Sequence, residues 1–116
     1  GLKQVKPGNR LSDISHAIYV YLDEHGCTTP LDYTGHGIGS EVHEDPPVPN
    51  YGKAGRGPRL KAGMTLAIEP MAHLGGCETE VLQDNWTVIT KDRSLAAHYE
   101  HTIVITDNGY EILTKL

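Results

Sequence analysis

The sequence has 116 residues, a formal net charge of −5, 38% hydrophobic residues, 13 glycines and no phenylalanine. That length holds one domain or a piece of a larger one, and the acidic balance argues against a nucleic-acid or anionic-membrane partner. No stretch approaches the ~20 apolar residues of a membrane span, and no basic segment followed by an apolar run opens the chain.

Residues 1–6 read as the tail of an earlier helix, and Pro7-Gly8 marks a break after it. The opening on Gly1-Leu2-Lys3, without Met, suits a processed chain or a fragment. From 11 to 25, Leu11, Ile14, Ile18 and Tyr21-Leu22 recur at three- and four-residue steps, the spacing of an amphipathic helix. Asp13 falls in its first turn, where negative charge suits the helix dipole. Gly26 can take the left-handed conformation that closes it.

Cys27 and Cys77 belong to no CxxC pair, which excludes zinc ribbons and thioredoxin-type redox sites. They read as reduced thiols of a cytoplasmic protein. Gly35, Gly37 and Gly39 rule out a helix through 33–39, and Pro46, Pro47 and Pro49 do so through 44–50. Both segments, with 50–63, are expected to be loop-rich. The basic cluster between Lys53 and Lys61 is broken by Gly and Pro, as in a solvated loop. Strands are predicted at 64–73, 78–82, 86–90, 97–106 and 110–114, the last two joined by a turn at Asn108-Gly109. One helix followed by a mostly antiparallel sheet is an α+β arrangement.

Two carboxylates stand out against this pattern. Glu69 lies inside Thr65-Leu66-Ala67-Ile68-Glu69-Pro70-Met71, and Glu100 leads into His101-Thr102-Ile103-Val104-Ile105. A carboxylate set in apolar strand sequence costs free energy to bury unless a cation or strong donors compensate it. Strand alternation puts Glu69 on a face with Ala67 and Met71, and Glu100 on a face with His98, Thr102 and Val104. His36, between glycines, adds a nitrogen donor. Two oxygen ligands and one imidazole suit a divalent metal. Taken singly, each Glu is equally compatible with an ion pair, and His36 with an exposed turn. His16, His25, His73, His98 and His101 read as structural or exposed. His43-Glu44 begins an HExxH zinc motif, but Pro47 stands where its second His belongs. The glycines make no dinucleotide fingerprint, since Ser40 occupies its last position.

Five segments then stand in one order: Thr34-Gly35-His36-Gly37-Ile38-Gly39, His43-Glu44-Asp45-Pro46, Gly63 to Met71, Asp84-Asn85-Trp86-Thr87 and His98-Tyr99-Glu100-His101-Thr102-Ile103. Together they resemble the C-terminal half of the type I methionine aminopeptidases, over nearly the whole chain. Prolidases and aminopeptidases P share the His36, His43 and two-Glu pattern, but the Trp86 segment and the short step from Glu69 to Glu100 favour the methionine enzymes.

The resemblance implies half of a pita-bread fold, with residues 1–116 as a single domain that lacks the N-terminal half. It implies that His36 and Glu69 bind one metal while Glu100 bridges two, the ions being Co, Mn, Fe or Zn. His43 would contact the substrate peptide bond, Glu69 would relay a proton, and Val42 and Trp86 would line the pocket for a methionine side chain. The implied reaction removes the N-terminal Met of nascent polypeptides in the cytoplasm and is compatible with association with the ribosome, while the charge balance leaves no nucleic acid and no membrane as partner. With three ligands only, the chain alone is expected to bind metal weakly and to turn over little substrate. It is also expected to expose an apolar face that self-associates or needs the missing half. A prolidase-type peptidase and a non-catalytic protein-binding module are the alternatives.

Overall fold

The structure, a computed structural model, describes residues 1–115. The recurring Leu11, Ile14 and Ile18 wind residues Leu11–Glu24 into α1, and all three side chains are buried. The Asp13 carboxylate starts the helix by accepting the backbone N–H of Arg10 at 2.7 Å and of Gly55 at 2.9 Å. Gly26, at φ +73°, ends it, while the N–H of Cys27 returns to the Leu22 carbonyl. Ahead of it, Leu2–Gln4 form one 3-10 turn rather than the tail of a longer helix.

Nine strands follow among the described residues: β1 (Gly35–Ile38), β2 (Glu44–Val48), β3 (Thr65–Ile68), β4 (Met71–His73), β5 (Thr79–Val81), β6 (Val88–Thr90), β7 (Ala96–His98), β8 (His101–Thr106) and β9 (Gly109–Ile112). All pair antiparallel, as the α+β expectation requires. A five-stranded sheet runs β2-β1-β3-β8-β9, with β4–β7 and β5–β6 as two further pairs. Helix α1 and Val5 pack with Val48, Leu60, Leu66, Ile68, Ile103 and Ile105 into one apolar core. Each such side chain stabilises the fold by roughly 1.5–3 kcal/mol on burial, so this helix-covered sheet holds the molecule together. Both cysteines are free thiols, and among the described residues no helix is long and apolar enough to cross a membrane.

Four further expectations need correction. The segment 33–39 is not all loop, because Gly35–Ile38 form β1. The segment 44–50 is not all loop, because Glu44–Val48 form β2 despite two prolines. β2 is an edge strand, where a missing N–H leaves no ladder partner unsatisfied. The turn between β8 and β9 is Asp107-Asn108, since Gly109 already pairs with Thr106. Finally, the long strands expected at 64–73 and 97–106 are each interrupted, at Glu69-Pro70 and at Tyr99-Glu100.

The interruptions face each other. The last pair of β3–β8 is Ile68 with His101, and the first pair of β4–β7 is Met71 with His98. The register is unchanged across the gap. β3–β4 and β7–β8 therefore form one long ribbon with a kink, at which Glu69 falls opposite Glu100. Proline at 70 has no N–H to carry a ladder through, and Tyr99 N–H instead donates to the Pro70 carbonyl at 3.2 Å.

Candidate metal centre

His36 reaches the kink from β1, whose register sets it opposite Ala67 of β3. The glycines beside it permit close strands rather than a sharp bend. A Cβ on Gly35 would collide with the Ala67 carbonyl, and one on Gly37 with the Asp45 carbonyl. The strands on either side of β1 are thereby drawn in.

One ligand atom from each of His36, Glu69 and Glu100 lies within 4.8 Å of the others. His36 and Glu69 are largely buried, with side chains 12% and 14% exposed, whereas Glu100 is open to solvent. His36 Nδ1 lies 3.0 Å from the Gly37 carbonyl. A carbonyl only accepts, so Nδ1 carries the proton and Nε2 is turned to the carboxylates. Nε2 stands 2.9 Å from Glu69 Oε2. With Nδ1 already the donor, that approach needs positive charge, either a second ring proton or a cation held by both atoms. Two carboxylates set opposite each other on a ribbon repel, and a divalent cation is the group that satisfies all three side chains together.

The surroundings add four observations. The His43 ring lies 4.1 Å from that of His36, centroid to centroid, on the exposed side. His98, which sequence reasoning treated as structural, places Nε2 3.3 Å from Glu69 Oε1. Its position two residues before Glu100, on the same strand face, was the available signal. Asn50, missed entirely, is fully buried and donates from Nδ2 to the Glu69 carbonyl at 3.0 Å. A largely apolar cleft of about 580 Å³ opens beside His98, between Tyr33, Met71, Val88 and Ala97. An apolar hollow bordered by a few convergent polar groups is the usual form of a small-ligand site.

The other expected residues are less gathered. Trp86 is 87% exposed at the tip of the β5–β6 hairpin, and Val42 is 69% exposed between β1 and β2. Neither is among the side chains that converge on the kink. Leu31, Leu74, Val81, Leu82, Leu95 and Tyr99 are also exposed.

The family model of metallopeptidase family M24 matches residues 1–107. Methionine aminopeptidase 1 of Bacillus subtilis (strain 168) is 52% identical over 116 residues, which are 100% of this chain and 47% of that protein. The crystal structure of a methionine aminopeptidase from Thermotoga maritima superposes with a TM-score of 0.96 at 53% identity, covering 99% of this chain and 46% of that one. A prolidase from Pyrococcus furiosus is more distant, with a TM-score of 0.67 at 27% identity over 99% of this chain and 29% of its own. The chain thus spans about half the length of the curated relatives it matches.

Proposed function

Because the chain belongs to metallopeptidase family M24, we propose that it supplies the catalytic carboxylates of a methionine aminopeptidase, which removes the N-terminal Met of nascent polypeptides. The carrying observation is the convergence of His36, Glu69 and Glu100 at the ribbon kink. The higher similarity to the methionine enzymes than to the prolidase favours Met over Xaa-Pro substrates.

On this reading His36 Nε2, Glu69 and Glu100 would hold the divalent metal. Mn, Fe, Co and Zn all accept mixed oxygen and nitrogen donors. Such ions activate water and polarise a scissile carbonyl. The protein's own part is to orient and to move protons. His43, beside His36 on the open side, contacts the peptide bond. Glu69 takes a proton from the attacking water and passes it to the leaving amine. Val42 and Trp86, free on the surface here, line the methionine pocket once a facing part of the fold is present. Three side chains are too few for the two ions that the resemblance implies, so the remaining donors come from sequence outside these residues.

Calorimetric titration of the chain with Mn(II), Co(II) and Zn(II) tests the metal reading, against Glu69→Gln as control. Weak binding that the control abolishes is expected. Turnover is read on Met-Ala and Xaa-Pro peptides, alone and with a polypeptide corresponding to the preceding half of a relative. Little turnover alone and Met-Ala cleavage on complementation are expected. Cleavage of Xaa-Pro only would make it a prolidase, and metal binding indifferent to Glu69 would end the proposal.

A further inference from the structure

We infer that Asn50 is a positioning residue of the metal centre, holding the backbone at Glu69 so that its carboxylate points into the kink; this rests on the metal reading above. Glu69 is the first residue past the paired stretch of β3, where its carbonyl no longer faces a strand donor. Asn50, two residues beyond the end of β2, supplies one instead: its Nδ2 donates to that carbonyl at 3.0 Å. A carbonyl cannot donate, so the contact also sets which way the amide is turned.

The amide is spent on a single main-chain contact. Asn50 is 0% exposed, and its Oδ1 has no hydrogen-bond partner among the described residues. An apolar residue of equal size would remove that acceptor but leave the Glu69 carbonyl without its donor. What the amide achieves is a fixed backbone at one metal ligand. Glu69 is then held at three points: its carbonyl by Asn50, Oε1 by His98 and Oε2 by His36. When the His36 and Oε2 atoms turn to a cation, the Asn50 contact remains, because it engages the main chain. Groups that orient metal ligands from behind commonly change affinity by 10–100-fold when removed.

The test compares Zn(II) affinity of the unmodified chain with Asn50→Leu and Asn50→His. Leucine keeps the volume and removes both the donor and the unpaired acceptor. Histidine can present Nδ1–H near the place of the amide nitrogen. We expect the leucine variant to bind zinc about tenfold or more weakly, with its metal-free melting temperature little changed, and histidine to recover most of the affinity. Unchanged affinity in Asn50→Leu overturns the role of Asn50 alone; absence of zinc binding by the unmodified chain overturns the metal reading with it. Should the leucine variant fail to fold, the unmodified chain still decides by NMR. The Asn50 side-chain amide must shift along the same zinc saturation curve as His36, and a resonance that stays put refutes the inference.

Discussion

The kinked ribbon has two ends in different surroundings. On one side of the kink, β3 and β8 lie under α1, with Leu66, Ile103 and Ile105 at most 1% exposed. On the other side, Ala96, Ala97 and His98 of β7 are all exposed, and Leu95 just before them is 75% exposed. The pairing register is the same on both sides, so strand pairing is not what distinguishes them. The difference is what covers each face. The covered end is a mount, and at the other end β7 is left bare as the wall of a cleft while its partner β4 ends on buried His73. Glu69 and Glu100 occupy the joint, where the ladder is broken and contacts from outside the ribbon, such as Asn50 on the Glu69 carbonyl, set the backbone.

Truncations on the two sides give the largest contrast. Ile103→Ala is expected to cost about 2–5 kcal/mol of unfolding free energy, through lost burial and the cavity left behind. Leu95→Ala is expected to stay within about 0.5 kcal/mol. Denaturant melts of both variants check this, and equal costs would erase the distinction between mount and wall.

The joint itself is probed by Glu100→Gln. Zinc affinity is expected to fall by more than the ~10–100-fold that supporting residues command. Stability of the metal-free chain is expected to rise by about 0.2–1 kcal/mol as the repulsion across the ribbon is relieved. A melt and a calorimetric titration on the same sample read both signs; a fall in both would mean that Glu100 braces the fold instead.

The smallest effect belongs to the bare side. Asp92, after β6, is held down to about 2 by hydrogen bonds from Ser94 and Gly76, whose N–H groups both donate to its carboxylate. A carboxylate lowered in the folded state stabilises above its unfolded pKa of about 3.9 and loses that contribution as pH falls toward the folded one. The loop between β4 and β5 is therefore expected to loosen between about pH 4 and 2, seen as lost protection of the Gly76 amide relative to its intrinsic exchange rate. The same window should be silent in Asp92→Asn.

Much of this was legible in residue order. The helix was read from Leu11, Ile14 and Ile18 and its end from Gly26, because periodicity and a glycine stop are local properties. The separate suspicions over Glu69, Glu100 and His36 were also local, since each residue clashed with its apolar or glycine-rich neighbours. What escaped were features that depend on partners far along the chain. β2 was missed because proline is tolerated only at an edge, and which strand is the edge is decided by the whole sheet. The breaks at Glu69-Pro70 and Tyr99-Glu100 were read as continuous strands because either one alone looks like unbroken apolar sequence. Asn50 carries no local mark at all, and its role exists only because the end of β2 lies over the backbone of Glu69.

The sequence by itself determined the α+β class, the single helix and the set of side chains able to hold a cation, since these follow from residue type and spacing. Only the tertiary structure decided that those side chains meet. Convergence rests on a shared register across two distant segments, and on glycines that let a third strand bring its imidazole alongside.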